Sequence, residues 1–537
     1  MKKLKKAIFL LCIMVMILAL LTGCGGGSGG NSGGSGGGNS GGGSGGGATT
    51  SGGSSGAHRD DVIIALPDEP SSLNCMNSPQ TATSLVTLQV CESLVLTDET
   101  GINVSPLLAT SWEFNDVGDQ ILFTLRDDVY FHNGEKFTAD DVVFSYHENL
   151  RLGIMETTIA YYDHMEKIDD THVRLYLKQP FANIMACVGA TDCGIVSKKA
   201  YEENGVDGFG RNPIGTGPYK FVEWKTGDYI KLTANENYYG KAPAIKNVTY
   251  KIFSDDSAAS LALQNKEIDV CYRPPAIDRD RIANTPGLTL QSGIGLNHAW
   301  MFFGYHEGSH FIDENVRLAV AYAIDKDAVA LGATDGVGIP SHSSLFGEWW
   351  GYTSPGYLCP QNDIAKAKEL MAKSAYPNGF NVDVVTTNNP NYYRTLEVIQ
   401  PMLAEIGINI SISKVDQGIW NTDVFHAGNY EINAWQASMS FPDFNDHVPC
   451  WRSGAFLNAG NMSDPYVDEL LDAQDLAPTE EERVRIIRTV DEYLYDHALL
   501  IPLFTYPNFV AHNSDLQGII VATQMGNLKV YQWSWAN

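Results

Sequence analysis

The chain has 537 residues and carries 63 Asp and Glu against 36 Lys and Arg, a formal charge of −27. A surface of that sign repels nucleic-acid phosphates and anionic lipid headgroups, so nucleic-acid binding is excluded and membrane contact cannot come from a basic face. The length exceeds the roughly 250–300 residues at which one hydrophobic core stops growing, which predicts two lobes or more.

At the start of the chain Lys2, Lys3, Lys5 and Lys6 precede an uncharged apolar run at 7–21. This is the pattern of a secretory signal, and the run falls short of the ~20 residues a stable membrane span needs. The string Leu21-Thr22-Gly23-Cys24 that follows resembles the bacterial lipobox. That resemblance implies cleavage after residue 23 and diacylation of Cys24, and two acyl chains anchor durably where one is marginal. Residues 25–56 are almost wholly Gly, Ser and Asn, a composition that cannot offset the entropy of ordering. The expected segments are a signal peptide at 1–23 and a lipidated cysteine with its flexible tether at 24–57.

Seven further cysteines follow: Cys75, Cys91, Cys187, Cys193, Cys271, Cys359 and Cys450. Cys187 and Cys193 are nearest in sequence, but spacing does not reveal connectivity, and buried unpaired thiols are equally expected. No C-x-x-C pair is present, so zinc and thioredoxin-like chemistry have no support.

In chain order, 62–66 and 121–125 read as strands bounded by turn residues or charges. Thr138 with Asp141 opens a helix through Val142, Val143 and Tyr146. Gly215-Thr216-Gly217-Pro218 reads as a turn, because a strand at 219–224 follows it rather than the helix a phosphate-binding loop requires. Residues 300–305 read as strand. Val316, Ala319, Val320, Ala323 and Ile324 form one helix face, and Leu396, Ile399, Leu403 and Ile406 another, ending at Gly407 ahead of a strand at 408–412. Thr479 with Glu482 forms a capping box before Val484, Ile487 and Leu494.

His306-Glu307-Gly308-Ser309-His310 satisfies H-E-x-x-H, the zinc-protease pattern, which requires both histidines on one helix face. Here a strand ends just before it, the next helix begins near Asp313, and Gly308 and Ser309 intervene. A solvated loop is expected, with a secreted zinc hydrolase and nickel binding as rivals.

Longer strings carry a broader resemblance. PLLATSWEFNDVGDQILFTLRDDVYFHNGEKFTADDVVFSYHE at 106–148, NPIGTGPYKFVEW at 212–224, LTANENYYG, KEIDV, FIDENVRLAVAYAIDKDAV at 311–329, DIAKAKELM and EERVRIIRTVDEYLYDHALLIPLF at 481–504 occur in this order. Together they resemble the extracellular solute-binding proteins of family 5, the oligopeptide, dipeptide and nickel binders of ABC importers, over nearly all of the chain after His58. The resemblance implies an α/β fold, a two-lobed periplasmic-binding-protein-like clamp with an extra subdomain on the first lobe. Lobe I would comprise 58–295, with the subdomain inserted at about 95–210, completed by 505–537; lobe II would be 296–504. It also implies a monomer that closes on a peptide or other small ligand and docks on an ABC permease served by its ATPase subunits, with no catalytic residues, metal or cofactor.

The same resemblance points to the cleft. Peptide-binding relatives carry Trp-x-x-Asp ahead of a proline, and that Asp pairs with the ligand's α-ammonium. Here Trp435-Gln436-Ala437-Ser438 precedes Phe441-Pro442-Asp443, so Ser438 stands where the carboxylate is expected. Asp443 or Asp446 would substitute, or the ligand is a sugar, metal chelate or other solute without an amino terminus there. Ser78, Gln80 and Thr81 match the family's loop after the first strand, and Tyr161, Tyr162, Phe504, Tyr506, Trp349 and Trp350 are further wall candidates, each balanced against ordinary core packing.

Overall fold

A computed structural model describes residues 59–76, 80–101, 103–153, 161–181, 183–343, 359–438, 443–477, 479–523 and 526–536. The signal, Cys24, the tether, Ser78, Trp349, Trp350, Phe441 and Pro442 lie outside them.

The first strand, β1 (Asp61–Leu66), alternates half-buried and buried positions before its apolar end. It joins β2 (Tyr219–Lys225), β3 (Tyr229–Ala234), β4 (Asn247–Ile252), β5 (Val270–Tyr272), β6 (Leu288–Phe303), β7 (Ile432–Ser438) and β8 (Leu500–Asn513) in one sheet of order β7-β6-β8-β5-β1-β4-β3-β2, with Ile339–Pro340 pairing against β8. β1 runs parallel to β4 and β5, and the remaining ladders are antiparallel.

Cores on either side of this sheet divide its length. Val62, Ile64, Val248 and Val270 pack with the helix Thr81–Val90 and with Val510, Leu516, Val530 and Trp533 from the end of the chain. Farther along, Ala299, Met301 and Phe303 pack against the helices Glu314–Ala323 and Pro390–Ala404, while Trp300 and Phe302 on the opposite face pack against Glu480–Asp496. A separate core lies under a four-stranded antiparallel sheet of Ala109–Phe114, Gln120–Leu125, His172–Leu177 and Tyr162–Asp169, covered by the helix Ala139–Leu152.

β6 and β8 are the long elements. They pair from Leu288↔Asn513 to Phe302↔Leu500, with register shifts between Ile294 and Asn297 and between Ala299 and Trp300. Gly295 sits in the first shift, where a Cβ would lie 2.3 Å from the carbonyl oxygen of Tyr506. Only glycine allows that approach of one backbone to another.

The expected local signals are present. Thr138 N–H donates to the Asp141 carboxylate at 2.9 Å, and the Thr479 hydroxyl accepts from Glu482 N–H at 3.2 Å. Leu396, Ile399, Leu403 and Ile406 are buried, and Gly407 has φ +85° before the strand Ile408–Val415. The disulfide joins Cys75 to Cys91, whereas Cys187 and Cys193, adjacent in sequence terms, remain free and buried. The Cys193 thiol instead donates to the carbonyl of Cys187 at 3.1 Å.

Candidate functional site

A cavity of about 520 Å³ opens where β6 and β8 pass from the first core to the second. One wall is the segment after β5, Arg273-Pro274-Pro275, followed by Arg279 on the helix Ala276–Ala283; Asp256 and Thr81 extend it. The other comes from Asn297 on β6, Gln436 on β7 and Tyr506 on β8. Asn297 lies at the first register shift, opposite both Ser438 and Tyr506. Gln436 Nε2 donates to the Tyr506 hydroxyl at 3.3 Å, which fixes two polar groups on that wall.

Arg273 has φ +62°, a left-handed conformation that costs a non-glycine residue about 1–3 kcal/mol and concentrates at functional positions. Its N–H donates to the carbonyl of Phe509 at 3.2 Å, and its guanidinium stands 3.5 Å from the Asp256 carboxylate. Arg279 Nε donates to the Pro274 carbonyl at 3.0 Å, and the guanidinium lies 4.0 Å over the Phe509 ring. Burial pulls the Arg279 pKa below its ordinary value, but a guanidinium stays charged at any physiological pH.

Of the residues singled out in the sequence, Thr81 and Tyr506 line this cavity. Trp435 does not: it packs against Phe425 at 4.8 Å and Phe302 at 5.6 Å. Strand side chains alternate between faces, so its neighbour Gln436 takes the cavity side. Gln80 is exposed and accepts from the Ser71 N–H and hydroxyl. Ser438 ends β7 opposite Asn297.

Tyr162 is a core residue, 1% exposed and 5.4 Å from Tyr146 beneath the four-stranded sheet; Phe504 is likewise buried in the second core. Tyr161 stacks on Phe181 at 4.0 Å, and its hydroxyl accepts from Asn445 at 3.3 Å. Asp443, a candidate for the ligand's ammonium, is fully buried and already engaged: Arg483 donates at 2.8 Å, Asn183 at 2.8 Å and the Asn445 N–H at 2.8 Å. Its carboxylate is a strut between the 95–210 region and the body around β7.

The H-E-x-x-H segment is not an α-helix, and only His310 enters a short 3-10 turn, His310–Ile312. Gly308 has φ +92°, His306 is exposed, and His310 is held by Glu431 at 2.7 Å and stacked on Phe380 at 4.0 Å. His310 is therefore anchored to the body rather than part of a solvated loop. The 215–218 segment is a turn, its Gly217 N–H donating to Val90 O at 2.9 Å and its Thr216 hydroxyl to Glu92 at 2.8 Å.

Arg273, Arg279, Asp256, Asn297 and Gln436 escaped the sequence reading. Gln436 stood inside the Trp435–Ser438 string, and an Arg followed by two prolines directly after a strand was the available signal for the rest.

The fold that carries this cavity is the two-lobed periplasmic-binding-protein fold. The chain belongs to the bacterial extracellular solute-binding proteins, family 5, whose middle region matches residues 103–455. It is 28% identical over 470 residues to heme-binding protein A of Haemophilus influenzae, covering 80% of this chain and 84% of that one. It is 27% identical over 423 residues to the oligopeptide-binding protein AppA of Bacillus subtilis, covering 73% and 76%. The solved structure of HbpA2 from Haemophilus parasuis shares the fold, with a TM-score of 0.79 at 23% identity over 89% of this chain and all of the other.

Proposed function

We propose that this chain is the substrate-binding lipoprotein of an ABC importer, held outside the membrane through Cys24 and taking peptides or peptide-like solutes to the permease and its ATPase. The cavity at the β6–β8 crossing carries the reading: at about 520 Å³ it falls in the ~300–1,000 Å³ range of small-ligand sites, and most of its lining side chains can hydrogen-bond a ligand. Relatives named for oligopeptide and for heme support a cargo of modest size. The chain acts by binding, not by catalysis, since the one hydrolase-like string lies in a loop whose second histidine is committed to Glu431.

The lobes follow the cores. Lobe I takes 58–295 with its subdomain at about 95–210 and is completed by 505–537; 296–504 forms lobe II. The packing of Val510, Val530 and Trp533 with Val62 supports this return of the chain end. The protein works as a tethered monomer.

Native purification followed by mass spectrometry of released small molecules, then calorimetry with what is found, tests the ligand class. Recovery of peptides supports the proposal; recovery only of a sugar or metal chelate would replace the peptide with that class, a reading favoured by Ser438 standing at the expected carboxylate position. For the anchor, Cys24→Ala should leave the folded body intact but unacylated, and acyl chains still found on the variant would refute the lipobox reading.

A further inference from the structure

We propose that the cleft selects a ligand bearing a single carboxylate and receives that carboxylate on Arg279, with Arg273 alongside. This rests on the reading of the chain as a solute-binding protein, though not on the ligand being a peptide.

Arg279 is fixed from two directions, by the Pro274 carbonyl at Nε and by the Phe509 ring beneath its plane. Both arginines line the cavity, and Nη1 of Arg279 and Nε of Arg273 are buried without an acceptor. A buried charged donor left unpaired is costly, and a carboxylate oxygen offers the acceptor that removes the cost. The guanidinium fork matches that geometry. The strained backbone of Arg273 and the two prolines after it hold the pair before a ligand arrives, which lowers the entropy lost on binding.

Charge fixes the class of anion. Two guanidiniums and one carboxylate, Asp256, line the cavity among the described residues, so one positive charge is uncompensated. Asp335, which also faces Arg279, is engaged by Arg394 at 3.0 Å. One net positive charge balances a carboxylate rather than a phosphate dianion. The opposite wall of Asn297, Gln436 and Tyr506 is uncharged and suits the remainder of the ligand.

The test is calorimetry on the full chain with tri-alanine and its C-terminal amide, together with thermal-shift measurements using succinate monomethyl ester, succinamide and inorganic phosphate. Wild type should bind the free acid at least about tenfold more tightly than the amide. Arg279→Gln should erase that preference, Arg279→Lys should retain part of it, and Arg485→Gln on the surface should leave it unchanged. Equal affinity for acid and amide would overturn the carboxylate inference while leaving peptide binding intact. If neither peptide binds, the peptide reading fails alone provided the monoester raises the melting temperature of wild type but not of Arg279→Gln. No response to any carboxylate, or a phosphate response as large as the carboxylate's, overturns the inference.

Discussion

Glu92 is a buried carboxylate that receives three hydroxyls, from Thr216 at 2.8 Å, Tyr238 at 2.7 Å and Tyr239 at 3.0 Å. Desolvation outweighs these donors and pushes its pKa up from 4.5 to about 7. The folded chain then holds a proton that the unfolded chain releases between those values, so this group's contribution to stability falls as pH rises from about 4.5 through 7. Glu92→Gln should flatten the slope by about 3 kcal/mol across that window, read as the wild-type minus variant difference in urea unfolding. His310 and His306 separate in the same assay: losing the Glu431 bond and the Phe380 stack should cost His310→Ala about 1–2 kcal/mol, while exposed His306→Ala stays within about 0.5. Neither substitution should release zinc, measured by elemental analysis. Ser438, opposite Asn297 at the cavity edge, supplies no charge for an α-ammonium. Wild type should therefore bind tri-alanine and its N-acetyl form alike, and Ser438→Asp should come to favour the free amine by about tenfold in calorimetry.

Among the elements, the helix Thr81–Val90 is tied at its far end to the segment before it by the Cys75–Cys91 disulfide, 16 residues apart. Closing a loop of that length removes unfolded-state freedom that contributes about 3 kcal/mol. Replacing both cysteines with alanine should lower the unfolding free energy by that amount, measured against wild type with and without reductant. The helices themselves were legible in the sequence, because an apolar stripe such as Leu396, Ile399 and Leu403 and a cap such as Thr479 act within a few residues. The cavity was less so. Whether Trp435 or Gln436 faces the ligand depends on the parity of β7 against β6, and a one-residue change in register exchanges them. The cysteine pairing escaped for a related reason: Cys187 and Cys193 are near in sequence, yet Cys193 bonds to a backbone carbonyl. The match to the family's loop located Thr81 and the search for cleft aromatics located Tyr506, while Arg273 and Arg279 draw their role from Phe509, which is distant along the chain.

For the whole molecule, polar contacts between the 95–210 region and the body around β7 include, among the described residues, Asn183 to Asp443 at 2.8 Å and Asn445 to the Tyr161 hydroxyl at 3.3 Å. If the two parts close on a ligand, these bonds help to hold them together. Asn183→Ala should weaken ligand binding by about fivefold, roughly 1 kcal/mol, chiefly through faster release in stopped-flow measurements. The long β6–β8 ladder links the two cores. A swivel made of loose chain would let the halves wander, but paired strands behave like a leaf spring, stiff in every direction except the one across the ribbon. The two slips in register are its thin places, and Asn297 and Tyr506 lie at the first of them. Points near a bending axis barely travel. If the jaws close by bending this ribbon, that end of the berth should keep its shape throughout, so a solute lands on a finished surface before anything moves.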